Sequence, residues 1–280
     1  MITRIVLVII PAVLVTGCAT TAGTNTVIAA FYPLAFAAKS IGGPEYRVEN
    51  LTPAGAEPHD LELTPRTVGR VVTAGVVLYL GHGFQPVVAA AAEQAKGTRV
   101  DVLAGLPLRR SNEEGVSADP HVWLDPVLFA RIAEKIGATL HRPSHAFVGR
   151  LNALDREFRK GLRTCARREL VTSHAAFGYL AARYGLRQIA ITGLTPESEP
   201  SPRQLARVVQ LVRRTGATTI FFERLVSPRL ADTVAREVGA RTAVLDPIEG
   251  LTTSEQARGD DYFSLMKRNL AALRKALACR

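Results

Sequence analysis

Three histidines of the chain lie in settings that fix the direction of an imidazole ring. His59 is in a loop stiffened by two prolines, and His121 is between Pro120 and Pro126, beside the only tryptophan. Proline restricts its own backbone and that of the residue before it, so both loops are expected to be rigid. His174 directly follows a short apolar run. Histidines held in this way are candidate metal ligands.

Two carboxylates of the second half have a similar setting. Glu223 and Asp246 each follow a short apolar run that is typical of a buried strand, as His174 does. In parallel α/β sheets, ligands bind outside the carboxyl ends of the strands. We therefore expect these three side chains to converge on one side of a sheet.

The histidines and one of these carboxylates make a plausible metal site. Three neutral imidazoles, from His59, His121 and His174, with the carboxylate of Asp246 would give a closed tetrahedral set, and such nitrogen donors favour Zn²⁺ over Ca²⁺ or Mg²⁺. The four residues lie more than 50 positions apart, which matches no local metal motif. Two ligands from each half would place the metal in a cleft between them.

Apolar runs alternate with helical patterns along the chain, which predicts parallel sheets covered by helices. We expect an α/β fold of two lobes, each with a parallel sheet flanked by helices, joined by one long rigid helix. Apolar residues recur every three or four positions from His145 to Ala166, a helix of about 33 Å. The predicted division is an N-terminal lobe over residues 27–143, a linker helix over 144–166 and a C-terminal lobe over 167–280.

The N-terminal residues predict export and anchoring. Arg4 precedes the apolar run from Ile5 to Val15, which is too short to span a bilayer, so residues 1–17 are interpreted as a signal peptide. The residues before Cys18 resemble the lipobox of bacterial lipoproteins, and Cys18 is the predicted lipid attachment site. A plain signal peptide with an incidental cysteine is the alternative. Residues 18–26 suit a flexible tether, and the protein is expected at the cell surface or in the periplasm.

Export also affects the interpretation of Cys165 and Cys279, the two remaining cysteines. In an oxidising compartment a disulfide between them is expected, and it would pin the C-terminal helix to the body of the protein. The two cysteines lack metal-site spacing.

The formal net charge of +10 does not predict nucleic-acid binding. The basic residues occur as scattered pairs such as Arg109-Arg110 and Arg213-Arg214, without a long run or a recognition motif. A solvated basic surface, or one that faces acidic lipid or wall polymer, remains as the interpretation.

Several motifs, in the same order along the chain, resemble the zinc/manganese solute-binding lipoproteins of ABC importers, the cluster A-I metal-binding proteins. The resemblance implies two α/β lobes joined by a rigid helix, a metal held between them, and delivery to the importer's permease by a monomer that is not an enzyme. By motif position, it makes His59, His121, His174 and Asp246 metal ligands, while Glu223 orients a ligand histidine. The motifs are Pro58-His59-Asp60, Thr64-Pro65, Asp119-Pro120-His121-Val122-Trp123-Leu124-Asp125-Pro126, Ser173-His174-Ala175-Ala176-Phe177-Gly178-Tyr179-Leu180, Glu199-Pro200-Ser201-Pro202 and Asp246-Pro247.

The resemblance also bears on the choice of metal. Relatives with Glu at the third ligand position tend to be manganese proteins, so His174 favours zinc, and a manganese-binding member is the alternative. Many zinc members carry a long His-rich loop before the second motif, whereas the segment from Leu106 to Ala118 is short and has no histidine. The resemblance therefore does not extend to metal gathering by that loop or by a chaperone docking on it.

Two other classes of protein compete with a binding protein. A zinc hydrolase would need an open water position and a general base, for which Glu223 is the only obvious candidate. The sequence has neither a His-Glu-x-x-His helix nor a Gly-x-Ser-x-Gly elbow, and a fourth ligand would close the site. A metal-binding surface adhesin on the same scaffold would differ only in its partner.

Overall fold

The computed structural model describes residues 25–196 and 200–280. The predicted signal peptide, the predicted lipid attachment site Cys18, most of the predicted tether and Glu199 lie outside the described residues. The strands are β1 (Thr26–Ala29), β2 (Arg47–Asn50), β3 (Val76–Tyr79), β4 (Thr98–Asp101), β5 (Arg110–Glu113), β6 (Val116–Ala118), β7 (Glu169–Thr172), β8 (Arg187–Ala190), β9 (Thr219–Phe222) and β10 (Arg241–Val244). The helices are α1 (Tyr32–Gly42), α2 (Pro65–Thr73), α3 (Pro86–Glu93), α4 (Pro126–Thr139), α5 (His145–Leu162), α6 (Gly178–Arg183), α7 (Pro202–Thr215), α8 (Arg229–Val238), α9 (Thr253–Ala257) and α10 (Tyr262–Ala276).

Two four-stranded parallel sheets form the framework. The strand order is β2-β1-β3-β4 in the first half of the chain and β10-β9-β7-β8 in the second. The register pairs Val27 with both Val48 and Val76, and Val171 with Ile220. The central strands are buried because their apolar side chains are covered on both faces. The predicted α/β fold with two parallel sheets is confirmed.

The loops that carry the candidate ligands end in firmly capped helices. The Thr64 side chain accepts a hydrogen bond from the Thr67 amide at the start of α2, and Asp125 accepts two amide bonds at the start of α4. Both helices have proline in their first turn, where the missing amide costs nothing. The helix starts therefore fix the chain directly after His59 and His121.

Helix α5 follows the first sheet in sequence and precedes the second. Its 18 residues bury an apolar stripe that includes Phe147, Leu154 and Phe158. The helix ends at Leu162, four residues before the predicted end, and the Leu162 carbonyl then accepts a hydrogen bond from the Arg168 guanidinium. Its role as a linker and the bounds of the two lobes stay predictions.

The predicted disulfide between Cys165 and Cys279 is confirmed. The two residues also form a short antiparallel bridge, and Arg280 donates its amide to the Thr164 carbonyl. These contacts hold the end of the chain, just after α10, against the segment that follows α5.

The segment before the second motif, from Leu106 to Ala118, contains an element that its sequence does not predict. It forms an antiparallel hairpin of β5 and β6. The sequence of β5 is Arg-Ser-Asn-Glu, without an apolar residue, so no strand pattern could be seen.

Trp123 joins distant parts of the chain. Its side chain is buried, its Nε1 donates to the Pro247 carbonyl at 2.7 Å, and its own carbonyl accepts from the Tyr262 hydroxyl at 2.6 Å. The segment containing His121 is thereby tied to residues that follow the second sheet. Within the two described ranges, no helix combines the length and the apolar character needed to cross a membrane.

Candidate metal centre

Three imidazole nitrogens meet one carboxylate oxygen, and the four residues come from both halves of the chain. The Oε1 atom of Glu249 lies 3.6 Å from Nε2 of His59, 3.1 Å from Nε2 of His121 and 3.7 Å from Nε2 of His174. The Nε2 atoms of His121 and His174 are 3.4 Å apart. Donors at about 2.05 Å from a tetrahedral Zn²⁺ would be about 3.3 Å from one another. The spacing of this group fits such an ion.

The atoms of the group lack other partners within the described structure. Nε2 of His59 and both carboxylate oxygens of Glu249 are buried without a hydrogen bond of acceptable geometry. Leaving buried polar atoms unpaired costs free energy, and metal coordination removes that cost. The fit of the donor set to a metal ion thus rests on unused donor atoms as well as on distance.

Carboxylates outside the group contact two of the histidines. Nδ1 of His121 is 2.8 Å from Oδ1 of Asp119, and Nδ1 of His174 is 2.6 Å from Oε1 of Glu223. A carboxylate can only accept here, so each Nδ1 carries a proton and each Nε2 is directed at the group. The position of Glu223 agrees with the orienting role expected for it, which stays a prediction. Sequence reasoning did not assign this role to Asp119, although it stands two residues before His121 in the same motif.

The third imidazole is held by packing. The ring of His59 contacts the edge of Phe84, with the ring centroids 4.6 Å apart. Its backbone amide donates to the Glu57 side chain at 3.3 Å. The two prolines of the loop therefore act together with an aromatic wall to direct this ring.

Asp246 is not part of the group, contrary to the expectation, and Glu249 takes the fourth position. The Oδ1 atom of Asp246 accepts the Ile248 amide at 2.7 Å, and its Oδ2 lies 4.0 Å from the Arg224 guanidinium. Its carboxylate thus stabilises the turn after β10. That turn passes through Ile248, which has a φ of 58°, and brings Glu249, three residues after Asp246, to the histidines.

Sequence reasoning missed Glu249 because it considered only the residue directly after the strand. The available signal was an acidic residue two positions beyond the Asp246-Pro247 pair.

Burial and neighbouring charges shift the pKa of each member. Burial lowers the pKa of His59. Burial also opposes the charged form of His121 and His174, but contacts with Asp119, Glu223 and Glu249 outweigh it and raise both pKa values, well above the usual value for His174. Burial would raise the pKa of Glu249, yet the three neighbouring imidazoles hold it well below its usual range. His121, His174 and Glu249 therefore favour one another's charged forms.

The same forces act on Asp246 with a different result. Burial raises its pKa to about 6, and the Ile248 amide and Arg224 only partly counteract this shift. The pKa of Asp246 is thus raised, whereas that of Glu249 is lowered.

A compact group of three imidazoles and one carboxylate, with all four donor atoms within 4.8 Å of one another, defines a site for a single transition-metal ion. The chain belongs to the family described as zinc-uptake complex component A, periplasmic (ZnuA), whose model matches residues 27–276. This result confirms the resemblance stated from the motifs.

Individual relatives agree with the family. The chain is 33% identical over 277 residues to the high-affinity zinc uptake system protein ZnuA of Bacillus subtilis, covering 90% of this chain and 87% of that protein. The Zn(II)-bound ZnuA-like domain of Streptococcus pneumoniae AdcA has a TM-score of 0.76 and 33% identity, covering 90% of this chain and 98% of the domain. Full-length AdcA is longer, and the match covers 56% of it.

A third relative has a second activity. The laminin-binding protein Lmb of Streptococcus agalactiae, described as bifunctional with adhesin and metal-transporting activity, has a TM-score of 0.81 and 30% identity. The match covers 90% of this chain and 99% of Lmb.

Proposed function

We propose that the protein captures Zn²⁺ with His59, His121, His174 and Glu249 and delivers it to the permease of an ABC importer. The single observation that carries this proposal is that four buried donor atoms lie within 4.8 Å of one another and have few other partners. Relatives named for zinc uptake and zinc binding support the choice of substrate.

Zinc is preferred to manganese because of the donor chemistry. Three of the four donors are imidazole nitrogens, which suit Zn²⁺, whereas Mn²⁺ prefers oxygen ligands. A manganese protein would be expected to replace an imidazole such as His174 with a carboxylate. Manganese therefore stays the alternative substrate and is tested below.

The arrangement favours storage and release over catalysis. Glu249 fills the fourth position, so a zinc-bound water would have to displace it. Glu223, the candidate general base, is bonded to both the His174 ring and the Ser173 hydroxyl. The chain belongs to a family of transport components, which is not an enzyme family.

We further propose that the protein works outside the cytoplasm, as a monomer held to a membrane by lipid on Cys18. The family is described as periplasmic, and the AdcA relative is named a zinc-binding lipoprotein. Helix α5 would act as a stiff linker between lobes 27–143 and 167–280, so metal release would involve small tilts and loop changes.

Adhesion is a second candidate function, favoured by the likeness to Lmb. It would use the outer surface and leave the metal site unchanged. Surface plasmon resonance on immobilised laminin, with and without zinc, separates this function from transport.

Metal content after loading with equal concentrations of zinc and manganese tests the proposal. The protein would carry Cys18→Ser to prevent lipidation and would be compared with its His121→Ala variant by mass spectrometry. We expect one zinc per chain, lost in the variant. Bound manganese in place of zinc would change the proposed substrate. A protein without bound metal would refute the proposed function.

A further inference from the structure

The β5–β6 hairpin is anchored to the first half of the protein. The Ser117 amide donates to the His82 carbonyl at 3.1 Å, and the Ser117 hydroxyl is 2.9 Å from Nδ1 of His82. Gly83 has a φ of 93°, and a Cβ atom there would collide with the Gly115 carbonyl at the turn of the hairpin. A side chain at Gly83 is therefore excluded, and the hairpin is seated closely on this loop.

The base of the hairpin continues directly into the His121 segment. The Asp119 amide donates to the Arg109 carbonyl at 2.9 Å, which extends the ladder of β5 and β6 by one bond. The Tyr179 hydroxyl accepts from the Arg109 amide at 2.8 Å and donates to the Asp119 carbonyl at 2.9 Å. Asp119 in turn orients His121, so one end of the hairpin is rigidly connected to a proposed ligand.

The other end of β5 reaches across to the second half. Oε1 of Glu113 accepts the backbone amide of Leu194 at 2.7 Å. A Cβ atom on Gly193 would collide with the Glu113 carboxylate, so the two backbones approach as closely as glycine allows. Glu113 is half-buried, so its bond is partly protected from water.

The loop that Glu113 holds contacts the chain on both sides of His174. The Ala175 amide donates to the Gly193 carbonyl at 2.7 Å, and the Thr192 amide donates to the Ser173 carbonyl at 2.8 Å. A shift of this loop would therefore move the backbone that carries the imidazole.

We propose that the hairpin is a strap between the two halves of the metal site and that Glu113 is a positioning residue for His174. This inference rests on the proposed capture of zinc. The continuous path runs from Glu113 through Gly193 and Ala175 to the His174 ring, while the base of the same hairpin holds His121. The strap fixes the separation of two ligands that belong to different halves.

The expected consequence is kinetic. A carboxylate that accepts from a backbone amide makes a charge-assisted bond, stronger than a neutral one. Without it, the loop at Leu194 gains freedom, His174 leaves the metal more often, and zinc is released faster. Glu113→Gln retains an oxygen that can accept a hydrogen bond from the same amide, so this variant should release zinc almost as slowly as the parent.

The test measures the rate of zinc release into excess chelator by stopped flow. The signal is the fluorescence of Trp123, because its ring centroid is 5.2 Å from that of His121. The protein again carries Cys18→Ser. We expect Glu113→Ala to release zinc about tenfold faster, and Glu113→Gln and the exposed control Glu114→Ala to stay within about threefold of the parent. Release by Glu113→Ala within about twofold of the parent would overturn the proposal.

A second variant protects the test against simple loss of folding. Gly193→Ala would push the Glu113 carboxylate away and should also speed release, but should add nothing in a Glu113→Ala background, because the carboxylate is already gone. Effects that multiply in the double variant would refute the path through this contact.

The same experiment separates the two proposals. A parent protein that binds no zinc would remove the proposed function, whereas a parent that binds zinc with no response to Glu113→Ala would remove only the strap.

Discussion

Replacing Glu249 or Asp246 by its amide discriminates between the two candidates for the fourth ligand. Glu249→Gln removes the negative charge of a carboxylate whose Oε1 atom lies within 3.7 Å of three imidazole nitrogens. Asp246→Asn keeps an oxygen for the Ile248 amide and alters only a carboxylate that is bonded within its own turn.

The size of the two effects should differ clearly. Removing a residue that merely orients a ligand costs about 10- to 100-fold in metal affinity, and losing an anionic ligand should cost at least the upper value, about 2.7 kcal/mol. Asp246→Asn should change zinc affinity by less than about threefold, because no ligand is lost.

Competition with a chromogenic zinc chelator at pH 7.5 would measure both affinities. Circular dichroism would show whether each variant keeps the parent fold. A fall in affinity for Asp246→Asn as large as that for Glu249→Gln would refute the assignment of Glu249 and restore Asp246 as the ligand.

Three further predictions concern pH, the disulfide and the orienting carboxylate. Because the pKa values of His121 and His174 are raised, the metal-free fold gains stability from their protons below pH 6.5, and loses it as pH rises through the raised pKa values. Zinc competes with those protons, so calorimetry from about pH 5 to 8.5 should show affinity rising with pH and proton release on binding; a flat profile would contradict this. Cys165→Ser should lower the free energy of unfolding by about 3–5 kcal/mol, because the disulfide closes a long loop. The zinc stoichiometry should not change. Denaturant unfolding in which the variant is as stable as the parent would refute this prediction. Glu223→Gln should weaken zinc binding by about 10- to 100-fold in the chelator assay, while the exposed control Glu237→Gln should not; equal affinities would remove its orienting role.

The fold could be predicted to a large extent because its signals are local. The buried strands are short apolar runs, and Thr64 and Asp125 each precede a proline that opens a helix. Three of the four members of the metal group also followed from local signals, since each histidine stands in a loop stiffened by proline or at the end of a strand.

The parts that could not be predicted depend on tertiary contacts. Whether Asp246 or Glu249 faces the histidines is decided by a turn through Ile248, a β-branched residue with positive φ that no sequence rule would place there. The β5 strand of the hairpin is polar, and the hairpin is held by partners that Ser117 and Glu113 find in distant loops. Such contacts leave no periodic pattern in the sequence.

The central claim is that one zinc ion is held jointly by ligands from both halves of the chain. Anomalous diffraction from zinc-loaded crystals, recorded on both sides of the zinc absorption edge, tests it most directly. We predict one peak about 2.0–2.2 Å from Nε2 of His59, His121 and His174 and from a carboxylate oxygen of Glu249. A peak coordinated by Asp246 instead, or by residues of one half only, would contradict it.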